Sequence, residues 1–178
     1  SSDIEWLLHA GVRIISMRGV GLNNISSLDP ILNTLRRLHI KKCDNNEILG
    51  YVAAHCSLLE VLWLDSGDYS ESGLISVAQH CHQLHTISWN TDIGIIDVIQ
   101  ALCDNCPNLR HIHCFYLTDA SLISIASTYP HLQSITIRGD DITDAGLLAI
   151  ADKCHELTSV KISFCLNITI SGLSALWA

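Results

Sequence analysis

A short apolar triplet with the spacing L-x-x-L-x-L recurs along this chain of 178 residues. Its seven copies start 23 to 25 residues apart, at Val12, Leu35, Leu59, Leu84, Leu109, Leu132 and Leu157. The alternation in the second half of the triplet predicts a strand with one apolar face. Because a fixed period of this length is the signature of repeat architectures, the fold of one unit decides the fold of the whole chain.

Each triplet is followed by a helical pattern. Apolar residues three positions apart, such as Leu122 and Ile125, mark one helix face, and a small residue such as Ala126 completes that face in five copies. One strand and one helix cannot bury their apolar faces alone, but stacked copies share a continuous core. The sequence therefore predicts an α/β solenoid with about seven repeats, forming a single domain over residues 1–178.

Composition argues against a membrane protein. The chain is 48% hydrophobic and 16% charged, and no apolar run approaches the roughly 18 residues that a spanning helix needs. The segment "SSDIEWLLHA" lacks the features of a signal peptide. A start without Met and an end within a repeat suggest a piece of a longer protein.

The repeats "DITDAGLLAIADKCHELTSVKISFCLNIT" and "NCPNLRHIHCFYLTDASLISIAS" resemble the cysteine-containing leucine-rich repeats, whose pattern runs C-P-x-L-x-x-L-x-L-x-x-C-x-x-I-T-D-x-G-L-x-x-L-A. The resemblance implies a right-handed solenoid with a parallel sheet on the concave face and helices on the convex face. Proteins of this class include the F-box and leucine-rich-repeat substrate receptors of ubiquitin ligases. The resemblance thus implies a protein-binding arc, of the kind that serves as the substrate-recognition domain in those receptors, and it implies no particular partner.

The cysteines depart from the family pattern in several repeats. The cysteine before the strand is present at Cys56, Cys81, Cys106 and Cys154, and His9, Leu32 and Tyr129 replace it elsewhere. The cysteine after the strand occurs only at Cys43 and Cys165. These gaps argue against a regular ladder of thiol hydrogen bonds. Free thiols packed as small apolar side chains suit a reducing compartment, so we expect a cytoplasmic or nuclear protein and treat the sequons at Asn24 and Asn167 as fortuitous.

The stretch "CDNCPNLRHIHC" contains the ligand types of a zinc site: Cys103, Cys106, His111, His113 and Cys114. The repeat explains these residues better, because Cys103 takes the small-residue place on the helix and Cys114 ends the inward face of its strand. His111 and His113 alternate with Cys114 and should point to the opposite face. We therefore predict no metal and no cofactor. No phosphate-binding loop or nucleophile elbow occurs either, which favours a protein that is not an enzyme.

The exposed strand face carries an uneven charge. We define the concave face as the residues that alternate with the inward ones, three per repeat: Ile14, Ser16, Arg18, Arg37, His39, Lys41, Val61, Trp63, Asp65, Thr86, Ser88, Asn90, His111, His113, Phe115, Ser134, Thr136, Arg138, Ser159, Lys161 and Ser163. It holds five of the ten Lys and Arg but one of the eighteen acids, so its charge is near +4 in a chain of net charge −8.

Aromatic residues accompany these charges, and aromatic and Arg side chains dominate interface energetics. The predicted partner-binding residues are Arg18, Arg37, His39, Lys41, Trp63, Asp65, His111, His113, Phe115, Tyr116, Arg138 and Lys161. We expect them to bind an acidic or phosphorylated protein segment. The alternative is a phosphorylated small molecule or a nucleic acid held by the same cations, with nucleic acid the less favoured; the oligomeric state stays open.

Overall fold

The computed structural model describes residues 13–20, 25–26, 28–43, 47–90 and 95–177. Val12, His9 and Asn24 lie outside these ranges. Strands and helices alternate along the described chain: β1 (Ile14–Val20), α1 (Asp29–Leu32), β2 (Arg37–Cys43), α2 (Ile48–His55), β3 (Val61–Leu64), α3 (Glu71–His80), β4 (Thr86–Trp89), α4 (Ile95–Asn105), β5 (His111–Cys114), α5 (Asp119–Thr128), β6 (Ser134–Arg138), α6 (Asp144–Lys153), β7 (Ser159–Ser163) and α7 (Ile170–Ala175).

The seven strands form one parallel sheet in chain order, β1 to β7. Each strand pairs with the next, and consecutive helices from α2 to α7 pack against one another. This architecture confirms the predicted leucine-rich-repeat solenoid, with the sheet on the concave side and the helices on the convex side. No helix in the described ranges is long and apolar enough to cross a membrane.

The core runs the length of the solenoid between sheet and helices. The second residue of each triplet pairs with its counterpart in the next strand, so that Leu38, Leu62, Ile87, Ile112 and Ile135 form one buried row. On the helix side, Leu122 and Ile125 are fully buried, as the helical pattern predicts. Every repeat thus buries its neighbour's apolar surface.

The concave face is more crowded than strand alternation predicts. Val61, Thr86 and Thr136 belong to this face, yet they are buried. Histidine side chains lie against two of them, because His85, just before β4, is hydrogen-bonded to Thr86 and His113 to Thr136. The expectation that all alternate residues face solvent is therefore wrong at these three positions.

An aspartate at the start of one helix caps the next repeat. Asp119 Oδ1 accepts hydrogen bonds from the backbone N–H of Thr143, at 2.9 Å, and of Gly146, at 3.1 Å. Asp144 accepts in the same way from the N–H of Thr169, at 2.8 Å. The donors are orphan groups at a helix N-terminus, which need such partners. Ile170 stands where α7 would carry the next aspartate, and its side chain is 82% exposed.

The buried thiols form a second set of contacts between repeats. Cys81 Sγ donates to the carbonyl of Cys56 at 3.4 Å, Cys106 Sγ to that of Cys81 at 3.8 Å, and Cys154 Sγ to that of Tyr129 at 3.5 Å. Tyr129 replaces a cysteine, and its hydroxyl donates to the Leu102 carbonyl at 2.6 Å. Three of the four cysteines that precede strands thus donate a hydrogen bond to the preceding repeat, while the series is interrupted at Tyr129, where a hydroxyl donates instead.

All seven cysteines whose side chains the structure describes are free thiols: Cys56, Cys81, Cys103, Cys106, Cys114, Cys154 and Cys165. The side chain of Cys43 lies outside the described residues. Burial raises the pKa of the Cys56, Cys81 and Cys106 thiols to about 12. A thiol with so high a pKa stays protonated at neutral pH and is a poor nucleophile, so these cysteines are structural.

Candidate partner-binding site

A cleft of about 550 Å³ opens on the concave face over β1 to β5. Alternate residues of these strands supply its walls because they point away from the core. It is lined by Ile14, Ile15, Ser16, Arg37, Leu38, His39, Val61, Trp63, His85, Thr86, His111 and His113. The lining is mainly apolar and aromatic, with Arg37 as its charged member, which is the composition expected of a recognition surface.

Trp63 is the largest exposed side chain of the cleft, with 46% of its surface accessible. The His39 ring from the neighbouring strand meets it edge to face, with centroids 5.5 Å apart. His39 Nε2 in turn lies 3.1 Å from Asp65 Oδ2. The carboxylate therefore orients the imidazole and the imidazole supports the indole, so that Trp63 offers a fixed apolar surface to a partner.

Three further histidines extend the cleft toward β5. The rings of His85 and His111 meet edge to face at 6.5 Å. His113 is fixed by Thr136 Oγ1, 2.9 Å from its Nδ1, and by Ser134 Oγ, 3.1 Å from its Nε2.

The surroundings of His111 and His113, the two histidines of β5, lower the pKa of both imidazoles. Burial lowers the pKa of His111, and the charges of His85 and Arg110 lower it further. The pKa of His113 is lowered by burial first, then by His111 and Lys161. A lowered pKa favours the neutral form of these two rings at neutral pH, so the positive charge of the concave face comes mainly from its Arg and Lys side chains.

A second cluster lies beyond the cleft, where β5, β6 and β7 end. The guanidinium carbon of Arg138 lies 4.4 Å from the ring centroid of Phe115 and 4.4 Å from that of Phe164. Tyr116 is beside this cluster in sequence, and its side chain is 46% exposed. Phe115 and Arg138 are predicted site residues that the structure brings together.

The remaining predicted residues do not join either cluster. Arg18 and Lys41 lie opposite one another on β1 and β2, and Lys161 is exposed on β7. All twelve predicted residues are at least partly exposed.

The residues of the zinc-like stretch do not converge. Cys114 is buried in the core, whereas His111 and His113 line the concave cleft. Within the described ranges there is no group of three or more His, Cys, Asp or Glu side chains that could hold a metal ion.

Sequence reasoning missed several residues of the two clusters, among them Ile14, His85 and Phe164. Ile14 belongs to the concave face but is not among the predicted site residues, and His85 precedes its strand. Phe164 lies one position beyond the residues assigned to the concave face. A signal for Phe164 does exist, because it aligns with Tyr116 and with Gly19 and Gly139 in other repeats, all of which have a positive φ.

No family model matches the chain, but several curated proteins do. F-box/LRR-repeat protein 17 of Arabidopsis thaliana is 27% identical over 89% of this chain and 32% of its own length. F-box protein FBW2 of the same plant is 26% identical over 78% of this chain and 47% of its own length. The chain is thus similar to the F-box/LRR-repeat proteins, and its fold is a leucine-rich-repeat solenoid.

A fungal relative widens this comparison. Antagonist of mitotic exit network protein 1 of Eremothecium gossypii is 27% identical over 80% of this leucine-rich-repeat chain and 32% of its own length. The chain spans less than half the length of each of these three relatives. Their similarity covers most of the solenoid and supports a role in protein interaction.

Proposed function

We propose that this leucine-rich-repeat chain is a non-catalytic interaction module that binds an extended, acidic or phosphorylated segment of a protein partner on its concave face. The observation that carries the proposal is the exposed indole of Trp63, fixed by His39 inside an open cleft with Arg37 on its wall. Partly exposed Trp and Arg side chains around an apolar cleft are typical of the energetic centre of an interface.

The distribution of charge supports an acidic partner. Arg18 and Lys41 lie side by side next to the cleft, and Arg37 lines it. The acid Asp65 is engaged by His39. A surface of this sign steers an acidic segment toward it and repels basic ones.

The relatives suggest the biological setting. Two carry F-box in their names, and one is named as an antagonist of the mitotic exit network. We infer that this chain is the single repeat domain of a longer receptor of the ubiquitin-ligase type, acting in the cytoplasm or nucleus. The concave cleft would then hold the substrate to be ubiquitinated.

The first experiment compares variants in affinity capture from native cells, followed by mass spectrometry. Trp63→Ala should remove a specific set of captured proteins, because truncating a central interface tryptophan costs about 2 kcal/mol or more, roughly thirtyfold in affinity. Trp177→Ala is the matched control, since Trp177 is 78% exposed and lies outside the cleft. Loss of the same proteins in both variants, or in neither, would contradict the proposal.

The second experiment tests the charge. Arg37→Glu with Lys41→Glu should weaken the captured partner and flatten the salt dependence of its binding, because screening acts on exposed charges. Lys153→Glu reverses an exposed cation of α6 outside the concave face and should do neither. If the parent protein instead binds oligonucleotides or phosphorylated small molecules more tightly than phosphopeptides, the choice of a protein segment is wrong.

A further inference from the structure

The cluster at the ends of β5, β6 and β7 is built differently from the cleft. Arg138 stands between two phenylalanine rings from neighbouring repeats, each 4.4 Å from its guanidinium carbon. A cation at this distance over a ring face is attracted by the ring quadrupole. Two such contacts restrict a side chain that would otherwise be among the most mobile on a surface.

We call the rings of Phe115 and Phe164 the clamp. The clamp leaves the hydrogen-bonding edge of Arg138 free. A guanidinium is planar and carries five N–H donors in that plane. Among the described residues, no side chain or carbonyl forms a hydrogen bond or ion pair with the Arg138 side chain. The donors are therefore available to a ligand, on a side chain that the two ring contacts hold in place.

The backbone beside the clamp is strained. Phe164 has a φ of 55° and Tyr116 a φ of 61°, in the left-handed region that large side chains avoid. Gly139, between them in the stack of repeats, has a φ of 158°. Strain held by exposed aromatic residues is a reason to look for a function, because nothing in core packing requires a ring at these places.

We propose that Arg138, clamped between Phe115 and Phe164, binds a carboxylate of an Asp or Glu side chain in the partner segment. This inference rests on the proposed function, since it assigns one residue of the segment that crosses the concave face. A single guanidinium fork matches the two oxygens of a carboxylate. Phosphate recognition ordinarily uses a cluster of Arg side chains, and Arg138 has no second Arg beside it among the described residues.

Trp63 and Arg138 are the two anchors for the partner segment, and their positions on the sheet set the spacing between the two segment residues that contact them. Trp63 is in register with Ser88, His113 and Thr136, and Arg138 is two residues further along β6. Three strand spacings and two residues along a strand give a separation of about 16 Å. An extended segment covers about 3.3 Å per residue, so the acidic residue lies about five residues from the apolar residue that contacts Trp63.

The test is selection of random displayed peptides, about twelve residues long so that they span both anchors, on the parent protein and on two variants. Peptides selected on the parent should carry an acidic residue about five positions from an apolar one. On Arg138→Gln the acidic preference should fall to the library background while the apolar preference remains. Lys153→Gln, which removes an exposed cation of α6 outside the concave face, should leave both preferences intact.

A second measurement keeps the test independent of selection. A peptide chosen on the parent should bind Arg138→Gln about tenfold more weakly, as loss of a charged hydrogen-bond pair requires. The same peptide with its acid changed to Gln should bind the parent and Arg138→Gln alike. Phe164→Leu should weaken the acidic peptide but not its Gln counterpart, because the guanidinium loses one ring of the clamp.

The results that would contradict the proposed function differ from those that would contradict the carboxylate clamp alone. If the parent selects no peptides, the proposed function fails. If it selects peptides without an acidic preference, or if that preference survives in Arg138→Gln, the carboxylate clamp is wrong while the cleft can stand. Tighter binding of a phosphoserine peptide than of its glutamate counterpart, by tenfold or more, would overturn the assignment of a carboxylate.

Discussion

In several repeats, the residue two positions after the last residue of the triplet has a left-handed backbone conformation. Glycine fills the place at Gly19, with a φ of 63°, whereas Lys42, Tyr116 and Phe164 have φ values of 52°, 61° and 55°. A residue with a Cβ atom in this region costs about 1 kcal/mol or more. The backbone at this position therefore has one conformation in these four repeats and accepts different residues there at an energetic cost.

Lys42 allows this cost to be measured, because its side chain is exposed. Lys42→Gly should be more stable than Lys42→Ala by about 1 kcal/mol, since both lose the lysine side chain but only glycine adopts the conformation freely. Urea denaturation of the two variants gives the difference. Equal stability, or a more stable alanine variant, would show that the turn carries no strain.

The buried thiols predict how stability depends on alkaline pH. Burial raises the pKa of Cys56, Cys81 and Cys106 from about 9 to about 12 in the folded chain. The thiols of the unfolded chain lose their protons above about pH 9, while those of the folded chain keep them. The stabilisation is complete below pH 9 and is lost as the pH rises toward 12, by about 1.4 kcal/mol per pH unit for each thiol.

Denaturation curves at pH 8, 9 and 10 would therefore show stability that falls at the alkaline end. Cys81→Ala should make the fall above pH 9 shallower by about 1.4 kcal/mol per unit. Cys165→Ala is the matched control, because it removes a thiol that is only partly buried and should change the slope less. An unchanged slope in Cys81→Ala would refute the assignment to buried thiols.

At the scale of elements, the helices are aligned by contacts between repeats. Asp119, in the first turn of α5, accepts from the start of α6, and Asp144 in α6 accepts from the N–H of Thr169 before α7. The hydrogen bonds from Thr169 lower the pKa of Asp144, which keeps this carboxylate charged. Glycine in the first turn lets the aspartate approach, since a Cβ atom at Gly146 would lie 2.5 Å from Asp119 Oδ1 and 2.7 Å from Leu122 Cδ1.

Two glycine substitutions should therefore change the free energy of unfolding in opposite directions. Gly50→Ala, in α2, places its methyl group where no atom lies within 4 Å and should stabilise the chain by about 0.5 to 1 kcal/mol through helix propensity. Gly146→Ala has the same propensity gain but pushes Asp119 away, and should destabilise the chain. Thermal melts of both variants test this. A stabilising Gly146→Ala would show that the two helices are not held together by the aspartate.

The sequence predicts the elements better than it predicts the site. Periodicity identifies strands, helices and inward residues, because each depends on positions within one repeat. The cap made by Asp119 and the clamp around Arg138 join residues about one repeat apart, and their partners depend on how repeats stack. The sequence predicts the concave face as a surface, but the pairing of Trp63 with His39, and the place of Phe164, needed the structure.

At the scale of the whole molecule, the solenoid is a stack in which interior repeats have two neighbours. Leu122 in α5 and Leu173 in α7 hold the same place in their repeats, but Leu122 is fully buried and Leu173 only partly. Stability in such stacks is the sum of repeat and interface terms. The same substitution should therefore cost different amounts at the two positions.

Leu122→Ala should cost about 3 kcal/mol, within the range for buried leucines, and Leu173→Ala about 1 kcal/mol. Denaturation with urea measures both values, and amide hydrogen exchange shows whether α7 opens before α5. Equal costs at the two positions would mean that the repeats do not behave as a stack of separate units.

These hydrogen bonds between repeats run in one direction along the sequence, from a donor in the later repeat to an acceptor in the earlier one. The carbonyl of Cys56 accepts from the thiol of Cys81, and the carboxylate of Asp119 accepts from the N–H groups of Thr143 and Gly146. In each case the acceptor belongs to the part of the chain that is synthesised first, and the donor arrives later. During synthesis, each new repeat that leaves the ribosome can therefore pack on the repeat before it, whose acceptor groups are already in place. The chain can fold while it is being translated.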